Sequence, residues 1–178
     1  SNTASYGGGI FSSANSFAMF LVQFRENYAS YSGGGIHNDS GAIQLASATF
    51  VSNTAGAFGG GVWSYAAALT VVDSEFRGNF AEGGGGGVYH DLSEATFTNV
   101  RFVNNATLTS GGNYGGGLYN RSGAATLTNV LFEGNSSATG GGMYNYASDA
   151  WLDQVQFINN TASAQGGGMS SIFGVSVA

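Results

Sequence analysis

From Ala125 to Phe132 the chain reads ATLTNVLF, apolar and polar residues alternating up to Asn129 and then alternating again out of phase. Period two marks a half-buried strand. The phase break predicts a bend near Asn129, because Leu127 and Val130 lie an odd number of residues apart and share a face only if the backbone turns between them. The same pattern recurs along the chain, and aligning its copies gives apolar columns. One holds Phe17, Ile43, Leu69, Ala95, Ala125 and Ala150; the next holds Met19, Leu45, Val71, Phe97, Leu127 and Leu152. A third runs Val22, Ala48, Ser74, Val100, Val130, Val155, and a fourth Ile10, Ile36, Val62, Val88, Leu118, Met143, Met169.

The copies are punctuated by glycine triplets ending at Gly9, Gly35, Gly61, Gly87, Gly117, Gly142 and Gly168, with steps of 26, 26, 26, 30, 25 and 26 residues. A phenylalanine follows each of the first six at a constant 15 residues: Phe24, Phe50, Phe76, Phe102, Phe132 and Phe157. Three residues further stands an asparagine: Asn27, Asn53, Asn79, Asn105, Asn135 and Asn160. All variation in period falls between the asparagine and the next glycines, most of it in the expansion Thr107–Gly117. A solenoid behaves this way, since packed rungs must hold register while a turn can bulge.

A glycine triplet in every unit is hostile to helix, and the alternation selects strands. The expected fold is all-β: a right-handed parallel β-helix of about seven rungs, three short strands per turn, as one domain over 1–178. At about 4.8 Å per rung it makes a rod of roughly 30–35 Å. Stacked asparagines predict an amide ladder along the axis, and asparagine also suits a left-handed corner. The glycines fit a place where Cβ would clash or φ is positive.

The unit GGG-apolar…F-x-x-N resembles the repeats of polymorphic outer-membrane proteins of intracellular bacterial parasites and of related bacterial surface proteins. The resemblance spans essentially the whole chain. It implies a pectin-lyase-like right-handed β-helix, exported, extracellular or at the cell surface, and used in adhesion or surface architecture. The transporter barrel of that family has no counterpart in this sequence.

Composition narrows the partners. Charged residues are 8%, lysine is absent, and four arginines face ten carboxylates for a net charge of −6. Binding a nucleic-acid backbone needs clustered cations, so nucleic acid is not expected as a partner. No cysteine is present and no apolar run of 18 residues exists to span a membrane. No cofactor or metal is expected.

The pectin-lyase-like class that the resemblance implies includes polysaccharide lyases and hydrolases, whose glycosidic chemistry needs paired carboxylates. Asp39 and Asp91 share a column, but Tyr65 separates them by a rung and Arg121 follows. The pair is about 9–10 Å apart by rung spacing, and solvated turn charges are the expected reading. Asp73 and Glu75 register with Asn99 and Arg101, poor company for a cation. His37 and His90 fall in different columns and form no triad. No catalytic residue is assigned, and an enzyme is not the expected class.

Two residues past each triplet stand Phe11, His37, Trp63, Tyr89, Tyr119, Tyr144 and Ser170. Their parity opposes the apolar column, so they should face outward as exposed rings, with Trp63, Tyr89, Tyr119 and Tyr144 the candidate contacts for protein or glycan. The outer pairs Thr96/Thr98 and Thr126/Thr128 form an array too short for ice binding. Glycosylation acceptor patterns occur at Asn38, Asn105, Asn120, Asn135 and Asn159. No capping helix or charged terminal rung is visible, so a fragment or processed protomer is expected, its ends meeting neighbouring repeats of a longer chain or other copies in a filament. The expected function is a structural or adhesive surface protein; the alternative is a carbohydrate-binding or polysaccharide-degrading β-helix.

Overall fold

The computed structural model describes residues 1–108 and 113–173, so the centre of the Thr107–Gly117 expansion and residues 174–178 lie outside the described residues. The chain forms a right-handed parallel β-helix with the expected repeat. Each rung has four limbs, not three. In the second rung they are Ile36–Asp39, Ile43–Ala46, Thr49–Val51 and Thr54–Ala55. The fourth limb escaped the sequence because it is as short as two residues, too little for alternation to show. The first and fourth limbs stack into separate seven-stranded sheets. The second and third share one sheet, because Ala95–Val103 and Ala125–Glu133 pass the bend as single strands.

Four limbs require four corners, and each carries a residue with positive φ; the corner after Ile36–Asp39 has two, Ser40 and Gly41. At the bend between second and third limbs these are Leu21, Ser47, Asp73, Asn99, Asn129 and Gln154. After the first limb they include Ser40, Ala66 and Leu92; after the third, Glu26, Ser52, Gly78, Asn104, Gly134 and Asn159. The ladder asparagine is therefore not the left-handed residue at its corner; the residue before it is. The fourth corner uses the first glycine of each triplet.

Within a triplet the three glycines are needed for different reasons. Gly33 has φ +69°, and a Cβ there would strike the carbonyl of Ile36. At Gly34 it would strike the carbonyl of Gly60 in the next rung. At Gly35 it would sit 2.6 Å from the Gly61 oxygen and 2.9 Å from the Phe50 ring. Contacts this close force the backbone to move, so no larger residue fits unchanged.

Phe24 through Phe157 stack with ring centroids 4.7–5.0 Å apart and planes within 10°. They anchor a continuous core with Ile36, Leu45, Val71, Phe97, Leu127 and Met143. Ser74, the polar member of an apolar column, is satisfied there: its hydroxyl donates to Val72 O at 2.7 Å and accepts from Ala48 N at 3.0 Å.

Beside the rings runs the asparagine ladder. Each Nδ2 donates to the Oδ1 one rung on at 2.9–3.0 Å, from Asn27 to Asn160, and Asn2 extends the series at its start. From Asn53 onward Nδ2 also donates to the carbonyl of the preceding rung's phenylalanine, as Asn79 does to Phe50 O at 3.0 Å. Each Oδ1 accepts a second bond from a backbone N–H, so a buried amide is fully paired.

Candidate functional site

The glycine corner folds two outer columns against each other. The residue just before each triplet, in the series Tyr6, Ser32, Phe58, Gly84, Tyr114, Thr139, pairs rung to rung. Where it is aromatic it packs on the first limb's outer column, which holds the candidate aromatics. Phe58 covers Tyr89 at 5.0 Å between centroids, and Tyr114 stacks on Tyr144 at 4.5 Å. Tyr119 meets Tyr89 and Tyr144 edge to face, at 5.0 and 5.1 Å.

Tyr89, Tyr119 and Tyr144 do point away from the core, but they are buried in a second aromatic cluster outside it. The expectation of exposed rings is corrected: the covering side chains come from the opposite side of the glycine corner. Burial pushes the Tyr89, Tyr119 and Tyr144 hydroxyls above their ordinary range. Trp63 keeps partial exposure. It lies in a near-parallel stack with Phe11, His37 and Tyr89, where neighbouring rings cover one another's faces and leave edges to solvent. A sugar stacks on ring faces, so on the first limb the exposed rings left for one are Phe11 and Tyr65.

Asp39, Tyr65, Asp91 and Arg121 follow one another rung by rung. Asp91 is 3% exposed, which corrects the expectation of a solvated turn charge. Arg121 Nη1 stands 3.3 Å from its Oδ2, and Tyr89 Oη donates to the same oxygen at 3.3 Å. Burial raises the Asp91 pKa, opposed by the Arg121 charge. Asp91 is thus a paired internal carboxylate, and the other carboxylate of its column, Asp39, lies two rungs away.

Asn129 donates to Asn99 at 2.9 Å and Asn99 to Asp73 at 2.8 Å, an amide chain along the exposed bend. Glu75 pairs with Arg77 and Arg101, and Arg101 also approaches Glu133 at 3.8 Å. Among the described residues no three His, Asp or Glu side chains gather as a metal site.

A second polar column escaped sequence reasoning. Ser12, Asn38, Ser64, His90, Asn120 and Asn145 register on the first limb, buried beside the core. Each reaches the carbonyl three residues on, closing the corner after its limb: Asn38 to Gly41 O at 2.6 Å, His90 Nε2 to Ser93 O at 3.0 Å, Asn120 to Gly123 O at 2.7 Å. The inward parity was a usable signal; the changing residue type hid it. Burial lowers the pKa of His90, and of His37 on the opposite face of the limb. Asn38, Asn105, Asn120 and Asn135 are fully buried in these two ladders, which leaves Asn159 as the exposed acceptor pattern of the five.

The family model for the Chlamydia polymorphic membrane protein repeat matches residues 73–91, a stretch holding one F-x-x-N, one glycine run and the following first limb. A search of curated proteins and a search of solved structures each return no match. Among the described residues no helix is long and apolar enough to cross a membrane.

Proposed function

We propose that this chain is a rigid structural segment of an exported surface protein, serving adhesion or surface architecture outside the cell. The observation that carries the reading is the ladder from Asn2 to Asn160: one repeated bond set ties every rung to the next, with the Phe stack beside it. Both run through the inside of the solenoid and join rung to rung along its length. The repeat match over residues 73–91 supports the same reading.

Parallel rungs leave in-register N–H and C=O groups on each axial face, so such a segment extends by adding further repeats, from a longer chain or from another copy end to end. Antibody labelling of intact source cells tests the surface assignment. Labelling without permeabilisation is expected; labelling only after permeabilisation would overturn it.

A further inference from the structure

The first two strands of the fourth-limb sheet, Thr3–Tyr6 and Tyr28–Ser32, differ in length by one residue. Ala4 faces Ala29 and Tyr6 faces Ser32, so the single residue Ser5 opposes both Ser30 and Tyr31. This is a β-bulge, a device that re-aims side chains. Ser30 and Tyr31 are exposed in succession, and Tyr31 stands alongside Tyr6. The two rings stack with centroids 5.2 Å apart and planes 25° from parallel. His37 meets the Tyr6 ring edge to face at 5.1 Å and steadies it.

Tyr31 is 58% exposed although chain lies on either side of it. On the side away from Tyr6 the neighbour is the small Ala57, whose N–H donates to the Tyr31 carbonyl at 2.7 Å. Tyr114 and Tyr144 stack more closely, at 4.5 Å, but Tyr144 is buried.

Two phenols in open contact have a chemistry of their own. A phenol that gives up one electron and its proton becomes a radical, with spin on the oxygen and on the ring carbons ortho to it. Two such radicals held together join through those carbons. The hydrogen on each joined carbon then moves to the oxygen, restoring two phenols. Two electrons and two protons leave in all, and one hydrogen peroxide, acting through a peroxidase, takes them up as two waters. Fixed contact between the rings makes the coupling intramolecular and correspondingly favoured. The usual ties between strands are closed to this chain, which has no cysteine for a disulfide and no lysine for a lysine isopeptide.

We propose that Tyr6 and Tyr31 are a site of oxidative cross-linking, a dityrosine that staples neighbouring strands of the solenoid. Like any cross-link it restrains the unfolded chain, so the coupled protein should melt at a higher temperature.

Photo-oxidation of the dilute purified chain with a tris-bipyridyl ruthenium complex and persulfate tests it. Trypsin cuts the product after Arg25, Arg77, Arg101 and Arg121, which puts Tyr6 in peptide 1–25 and Tyr31 in peptide 26–77. The expected result is these two peptides joined, lighter than the separate pair by two hydrogen atoms and carrying blue dityrosine fluorescence. Tyr6→Phe and Tyr31→Phe, which keep the stacked rings, should each abolish the joined product. Tyr28→Phe, exposed on the same strand, should leave it unchanged. Coupling of Tyr114 to Tyr144 would join 102–121 to 122–178 and so reads out separately. Peptides 1–25 and 26–77 left apart, or joined as readily in the chain unfolded by guanidinium, would overturn the proposal. Coupling only between molecules would do the same. None of these outcomes touches the rod reading.

Discussion

Gly84 lies against Tyr119: a Cβ on the glycine would stand 2.8 Å from the tyrosine Cδ1. The missing side chain at Gly84 makes room for the tyrosine of the next rung. Gly84→Ala should therefore lower stability by about 1–3 kcal/mol through overpacking. Pairing it with Tyr119→Leu should recover part of that loss. Chemical denaturation of the two variants checks it; equal and additive losses would break the claimed contact.

Asn79 sits mid-ladder, giving bonds to Asn105 Oδ1 and Phe50 O and receiving them from Asn53. Asn79→Ala leaves several buried partners unpaired, at about 1–3 kcal/mol each, and should cost more than Asn27→Ala near the edge. Thermal melts of the pair decide. A loss at Asn79 no larger than at Asn27 would count against a cooperative ladder.

Titration should act on stability from both sides. Folding lowers the His90 pKa below 6.5, so the folded state prefers the neutral ring. That contribution is present above pH 6.5 and is lost as pH falls through the depressed folded value. His37 has the same sign. Asp91 is opposite: its folded pKa lies above 3.8, so its contribution is present below pH 3.8 and lost as pH rises through the folded value. His90→Asn should flatten the loss between neutral and mildly acidic pH, as denaturant midpoints measured across that range would show.

Ala66 turns its corner at φ +49° with an exposed side chain. Left-handed backbone costs a non-glycine residue roughly 1–2 kcal/mol, and glycine gives back about 0.5–1 in chain entropy. Ala66→Gly should be neutral or stabilising by up to about 1 kcal/mol, and Ala66→Val destabilising. Melting temperatures in the opposite order would contradict the corner assignment.

The rungs could be read from the sequence where residue identity repeats. Phe102 and Asn105 recur unchanged in every complete unit, because a core ring and a buried amide tolerate no substitute at rung spacing. The corners were harder. Glu26, Ser52 and Gly78 share one left-handed conformation but no chemistry, so the invariant asparagine beside them took the blame for the turn. The inner column hid for the same reason, since Asn38, Ser64 and His90 do one job with three side chains. The burial of Tyr89 and Tyr144 was invisible because Phe58 and Tyr114 reach them across a glycine corner whose direction depends on φ. Strand alternation says which way a residue points and nothing of what lies over it.

Every amide of the asparagine ladder is oriented alike, NH₂ toward the C-terminal rung and carbonyl oxygen toward the N-terminal one. The side-chain dipoles therefore add along the axis and polarise one another. Cut at any rung, the solenoid shows a hydrogen-bond acceptor on one face and a donor on the other. The rod is thus vectorial, with front and back chemically unlike, and two identical faces of this ladder would meet as acceptor on acceptor or donor on donor.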